Sequence, residues 1–406
     1  MTDIISQAEK LSENEFKIID AIAYKNQAKV LAAFQKHKIA ARHFAGSYGY
    51  GYDDIGRNGL CALFSETFKS EDSIVSPLIA SGTHAISSVL YGLLRPGDRF
   101  LSISGKPYDT LEDVISGQNN GSLKNFGIDF DFIDLTQDSQ FNVDKILSSI
   151  KATDYKLLFI QRSRGYNWRK ALSIAQIETI IGEIRKVSDI PVVIDNCYGE
   201  FVETKEPTEV GADIIVGSLI KNPGGGLAAT GGYVSGKKEL IEQISYRITA
   251  PGIGFEVGSY AYGYREYFQG FFMAPHVTAQ ALKGSVLFGR VFDLLGYETL
   301  PKPNEQCGDI IRSIKFNTKK ELISFCQAIQ AASPIDSFAV PEPYDMPGYN
   351  EPVIMAAGTF VQGSSIELSA DSPIKEPYIA YFQGGLTYEH VKIAVKQCAE
   401  CLRRNV

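Results

Sequence analysis

No apolar run in these 406 residues approaches the roughly 18 that a membrane-crossing helix requires, so a transmembrane segment is not expected. Positive charge is equally scarce. Lys and Arg number 40 against 47 Asp and Glu, a formal net charge of -7, and the cations are scattered rather than clustered. That balance offers no field for nucleic acid or another polyanion. Six cysteines (Cys61, Cys197, Cys307, Cys326, Cys398 and Cys401) are too few and too dispersed for a disulfide framework, so reduced thiols are expected. Cys398 and Cys401 have CxxC spacing, but within a helical pattern and with no second Cys or His pair beside them. The five histidines are scattered as well, and no metal is expected. Met1 to Lys10 is polar and lacks the apolar core of a secretory signal, which places the expected location in the cytoplasm. Neither an internal repeat nor a low-complexity stretch of useful length occurs.

What is present describes an ordinary globular chain. It is 44% hydrophobic and 21% charged, and long enough for two domains. Residues 4 to 40 carry Ile18, Ile19, Ile22, Val30, Leu31 and Phe34 at helical spacing, predicting one or two amphipathic helices. The segment Gly46 to Arg57 is too rich in Gly and Tyr for a helix and reads as an ordered loop. From about residue 72 to 250, short β-branched runs alternate with helical stretches, the pattern of a mostly parallel sheet with covering helices. Strands are expected at 73–75, 99–103, 130–133, 157–160, 192–194, 214–216 and 232–234, with helices at 173–187 and 237–247. Beyond about 265 the pattern changes to helices near 277–295 and 318–331, Gly- and Pro-rich segments, short strands and a last helix at 387–404. The expected organisation is a helical arm and intersubunit loop at 1–60, a large α/β domain with a seven-stranded sheet at 61–265, and a small α+β domain at 266–406.

The chemistry-bearing residues gather at the expected strand exits, where open α/β sheets bind ligands. Lys221 follows Gly217-Ser218-Leu219-Ile220 and precedes Asn222-Pro223-Gly224-Gly225-Gly226, and Asp195 closes Pro191-Val192-Val193-Ile194 one strand earlier. A lysine with an aspartate so placed suggests a pyridoxal phosphate site. The amine would form the Schiff base with the cofactor aldehyde, and the carboxylate would keep the pyridine nitrogen protonated. Burial would depress the Lys221 pKa, and the glycines would let backbone approach the ligand. Taken singly, such a lysine is more often solvated surface and such an aspartate a turn residue; their spacing favours function. Ser81-Gly82-Thr83-His84-Ala85 opens a helical run and could hold a phosphate, although Ser and Thr are favoured as caps anyway. Ser218 could join it. Tyr108, after the next strand, could lie over the cofactor ring or simply pack.

With these motifs in order, the chain resembles the Cys/Met-metabolism group of fold-type I pyridoxal phosphate enzymes. Within that group it resembles the methionine gamma-lyase family, whose members are often labelled aluminium-resistance or cystathionine beta-lyase-like proteins. The resemblance runs nearly the full length, through Gly51-Tyr52-Asp53-Asp54-Ile55-Gly56-Arg57, Ser81 to Ala85, Gly105-Lys106-Pro107-Tyr108-Asp109-Thr110-Leu111, Gln161-Arg162-Ser163-Arg164-Gly165-Tyr166, Asp195-Asn196-Cys197-Tyr198-Gly199-Glu200, Ser218 to Gly226 and Gln383-Gly384-Gly385-Leu386-Thr387. It implies a carbon–sulfur lyase acting on a sulfur amino acid, with Lys221 as Schiff-base residue, Asp195 on the pyridine nitrogen, Tyr108 on the ring, and Gly82, Thr83 and Ser218 on the phosphate. It also implies that Tyr52 and Arg57 reach the phosphate of an adjacent subunit in a homodimer or homotetramer. Two departures bear on the substrate. A Thr-Asn-Pro type segment of the relatives reads Gln161-Arg162-Ser163-Arg164 here, and no arginine lies between Arg312 and Arg403 to clamp a carboxylate. Arg162, Arg164 and Lys375 are the candidate substitutes. Other outcomes of the same cofactor site are a transaminase, racemase or aldolase, or a cofactor-binding stress-response protein with little turnover.

Overall fold

The computed structural model describes residues 2–346, 349 and 351–404. Continuous apolar runs produce the central strands: β4 (Leu157–Gln161), β5 (Val192–Asp195) and β6 (Ile214–Ser218) are buried along their whole length. Strands of this kind need cover on both faces, which parallel sheets obtain from crossover helices. The large sheet also contains β1 (Asp72–Ser76), β2 (Arg99–Ser102), β3 (Asp129–Phe132) and β7 (Gly232–Gly236), in the order β1-β7-β6-β5-β4-β2-β3. All pairs are parallel except those that β7 makes with β1 and β6. The expected seven-stranded, mostly parallel sheet is therefore observed.

Helices α1 (Thr2–Leu11) and α2 (Glu13–Lys36) open the chain, and α3 (Ile55–Phe68), α4 (Gly82–Leu93), α5 (Asp109–Ser116), α6 (Val143–Ala152), α7 (Ile174–Arg185) and α8 (Lys238–Ile248) cover the sheet. Their starts follow local chemistry. Asp54 caps α3 by accepting from the Gly56 and Arg57 amides, Ser81 caps α4, and Ser173 with Gln176 forms a capping box on α7.

The long helix α9 (Arg265–Leu294) begins well before the expected start near 277 and contains Pro275. Its first half places Phe268, Phe271 and Ala274 in the core of the large sheet. Its second half gives Leu287, Phe288, Val291 and Phe292 to the core of a second sheet. Burial on both sides holds the helix together across the proline, whose ring and missing N–H would weaken it if exposed. The second sheet is wholly antiparallel, in the order β10 (Val353–Ala356), β11 (Ser369–Pro373), β12 (Ile379–Gln383), β9 (Arg312–Lys315), β8 (Glu298–Leu300). Helices α10 (Lys319–Ala331) and α11 (Tyr388–Arg404) pack on it, and Ile5 and Ala8 of α1 join the same core. Cys398 is buried there, which is the packing role its helical spacing suggested. Among the described residues no helix is long and apolar enough to cross a membrane, and no grouping of three or more His, Cys, Asp or Glu could hold a metal ion.

Candidate active site

The parallel strands deliver their chemistry at one edge. Asp195 ends β5 in register with Gln161 of β4 and Val216 of β6, and Lys221 lies three residues beyond β6. Asp195 is buried, and its Oδ1 accepts from the Cys197 amide at 3.1 Å. Burial raises its pKa, against the opposing pull of Lys221 and of that amide. Lys221 is partly accessible, and its Nζ stands 4.0 Å over the Tyr198 ring. Desolvation disfavours its ammonium, but the acidic groups around it (Cys197, Tyr198, Asp195 and Tyr108) outweigh that cost, so its pKa lies well above the ordinary lysine value. This reverses the depression expected from burial: the strand exits that deliver the lysine also deliver titratable acids, Asp195 the one carboxylate among them.

Tyr108 caps α5 at the exit of β2. Its amide donates to Gln161 Oε1 at 2.9 Å, and its hydroxyl meets Thr83 Oγ1 at 3.1 Å. Burial and the neighbouring Asp195 keep the phenol protonated. A Cβ on Gly82 would lie 3.3 Å from Ser218 Cβ and 3.5 Å from Cys197 Sγ, so glycine lets the start of α4 close against the β6 exit. Ser81 is exposed, and its Oγ accepts the His84 amide at 3.0 Å. Thus Thr83, Tyr108, Asp195, Ser218 and Lys221 are brought together, while the Ser81 hydroxyl is committed to its own helix. Free amides, two hydroxyls, a carboxylate, a phenol ring and an accessible amine are the donor set that pyridoxal phosphate would use, and these residues fit it.

The remaining candidates are placed elsewhere. Arg162 is fully buried and donates to Leu172 O, Asn196 Oδ1, Gly199 O and Glu203 Oε1. Arg164 is fully buried as well, pairing with Asp309 at 2.9 Å and donating to Leu300 O at 2.7 Å. Neither guanidinium is available to a substrate carboxylate; each ties loops to buried acids instead. Lys375 is exposed at a turn beyond β11. The glycines after Lys221 serve packing rather than ligand approach: a Cβ on Gly225 would stand 2.3 Å from Gly270 O, and one on Gly270 2.2 Å from Gly224 O. Tyr52 is 64% exposed against Tyr50, and Arg57 is buried with its guanidinium over Phe255. Neither touches the Lys221 group.

Four residues of the site were given no role from the sequence, although Tyr166, Tyr198 and Glu200 stand within the motifs quoted above. Tyr198, at φ 70°, turns the chain after β5 and supplies the ring under Lys221. Tyr166 and Asp371 approach it from the loop after β4 and from β11. Glu200 is fully buried; its Oε1 accepts from Tyr233 at 2.8 Å, and its other oxygen has no hydrogen-bond partner. Burial lifts its pKa to about 8. A tyrosine or acid in a turn or a short strand looks the same from sequence whether it lines a site or a surface.

A mostly parallel sheet with a lysine beyond one strand and an aspartate at the end of the next is the arrangement of fold-type I pyridoxal phosphate enzymes. The fold is similar to that of the pyridoxal-5'-phosphate dependent protein YhfS from Escherichia coli, at TM-score 0.63 and 15% identity, over 94% of this chain and 97% of that one. The Methionine gamma-lyase family model matches residues 1–403, and the chain belongs to that family. It is 50% identical over 390 residues to the uncharacterized protein YnbB of Bacillus subtilis (strain 168), covering 95% of this chain and 92% of that protein. Its structure is similar, at TM-score 0.95 and 50% identity, to a carbon-sulfur lyase involved in aluminum resistance from Clostridium novyi NT, over 100% of this chain and 96% of that one.

Proposed function

We propose that this protein is a pyridoxal phosphate-dependent carbon–sulfur lyase acting on a sulfur-containing amino acid, of the cystathionine beta-lyase or methionine gamma-lyase type. The observation that carries the reading is the meeting of an accessible Lys221, a buried Asp195 and a threonine-held Tyr108 beyond three strand ends. Family membership supports it. When bound, pyridoxal phosphate supplies an electron sink that stabilises negative charge at the substrate α-carbon. Asp195, screened from water, keeps the ring nitrogen protonated. The start of α4, with Thr83 and Ser218, holds the phosphate. Tyr108 would cover the ring, and Lys221 would hold the cofactor and serve as the group that moves the α-proton. The carbon–sulfur bond breaks with its electron pair leaving on sulfur, and one water is taken up overall. The products are a thiol, ammonia and a 2-oxo acid.

Self-association into a homodimer or homotetramer belongs to the same proposal. Tyr52 and Arg57, remote from Lys221 of their own chain, would serve the phosphate of a neighbouring copy. The only other partner proposed is the small amino-acid substrate, in the cytoplasm and without nucleic acid or membrane. Purified protein supplemented with pyridoxal phosphate tests the reading through thiol and 2-oxo acid release from L-cystathionine, L-cysteine and L-methionine. Release from at least one, abolished in Lys221→Ala, is expected. Release from none would remove the lyase reading.

A further inference from the structure

Within electrostatic reach of Lys221 stands a wall that the cofactor residues do not use. Asp371 of β11 lies directly across from Tyr381 of β12, so the two side chains share one face of the small sheet. The Tyr381 ring lies 5.2 Å from that of Tyr166, and Tyr166 lies 5.8 Å from Tyr349. Asp371 Oδ2 accepts from Gln383 at 3.2 Å, and Tyr166 also lends it a hydrogen bond. Lys221 is the cation that acts on this carboxylate, and its Nζ stands 4.0 Å over the Tyr198 ring.

The chemistry of the wall is one-sided. The sequence has no arginine between Arg312 and Arg403, and Arg162 and Arg164 are held by other partners. Arg169 is turned onto the carbonyls of Gln161, Ser163 and Lys170. What remains is a carboxylate among tyrosine rings, a combination that attracts organic cations: the rings present negative faces and the acid a full charge, in surroundings poor in water. Burial moves the Asp371 pKa up to about 7, so ionisation near neutrality is favoured by a positive partner.

We propose that Asp371, with Tyr166, Tyr349 and Tyr381, forms the subsite for the departing half of the substrate and selects thioether amino acids whose leaving thiol carries an ammonium group. The inference rests on the lyase reading for the position of the departing group. It differs from that reading in assigning preference to a single carboxylate.

The test uses two thioethers of equal length, S-(2-aminoethyl)-L-cysteine and S-propyl-L-cysteine, with pyridoxal phosphate-loaded Lys221→Ala protein, in which turnover is blocked. Calorimetric binding is expected to favour the aminoethyl compound by about tenfold or more. In the additional Asp371→Asn background that preference should fall to within about threefold, through weaker binding of the aminoethyl compound alone. Tyr166→Phe, which keeps the ring, should retain most of it. Equal affinities before the Asp371 change, failure of the aminoethyl compound to bind, or equal weakening of both by Asp371→Asn would each overturn the subsite. A preference that depends on Asp371 without thiol release by the unaltered protein would keep the subsite and remove the lyase reading. Thiol release without the preference would do the reverse.

Discussion

The exits of β4 and β6 both place cations in the interior, and they use them in opposite ways. After β4, Arg162 and Arg164 are fully enclosed, and their guanidiniums are matched by carboxylates and carbonyls. After β6, Lys221 has no ion pair among the described residues; its ammonium rests on a tyrosine face and stays partly accessible. A buried cation with satisfied donors fixes loops, whereas a cation left with an aromatic face and nearby acids is poised for a ligand. The substrate-binding role expected of the two arginines fails on this point, since an arginine can bind a carboxylate only with donors to spare.

Substitutions at the two exits should separate accordingly. Lys221→Ala should reduce thiol release by at least about a thousandfold while leaving the thermal midpoint nearly unchanged. Steady-state assays beside calorimetric scans check both halves, and a large loss of stability would break the contrast. Arg164→Ala should act the other way. It strands Asp309 in the interior and should cost about 3–5 kcal/mol of stability, read by denaturant unfolding.

Glu200 sharpens the comparison, being a buried acid with no cation of its own. Its folded pKa, about 8, exceeds the ordinary 4.5, so the folded protein binds this proton more tightly than the unfolded chain does. Its contribution is complete below the unfolded value and declines as pH rises through that window, because the unfolded chain ionises first. Glu200→Gln removes the decline. The variant should gain thermal midpoint over the parent at about pH 9 and little at about pH 4; a gain of equal size at both would show that ionisation is not the cause. Smallest of all, Lys375→Ala on the exposed turn should change the Michaelis constant by less than about twofold.

Much of the fold was legible because the signals are local. Runs such as Leu157 to Ile160 and Val192 to Ile194 are apolar and bounded by helices, and they became β4 and β5 within a residue or two. Helix α9 was misplaced at its start because Pro275 interrupts the pattern, and the packing that overrides it comes from residues far away in sequence. In the site, Lys221, Asp195 and Tyr108 were readable since each follows its own strand. Asp371 and Tyr166 were not, because Asp371 comes from the small sheet and Tyr166 from the loop after β4, and only tertiary folding brings them together. The direction of the Lys221 pKa was missed for the same reason: burial is guessable from an apolar run, and the identity of the neighbours is not.

The central claim is that Lys221 is the residue that joins the cofactor. Protein incubated with pyridoxal phosphate, reduced with borohydride and digested should yield a pyridoxyl group on the peptide containing Lys221, located by fragment mass spectrometry. Its absence there, or its appearance on another lysine with Lys221 unmodified, would contradict the account.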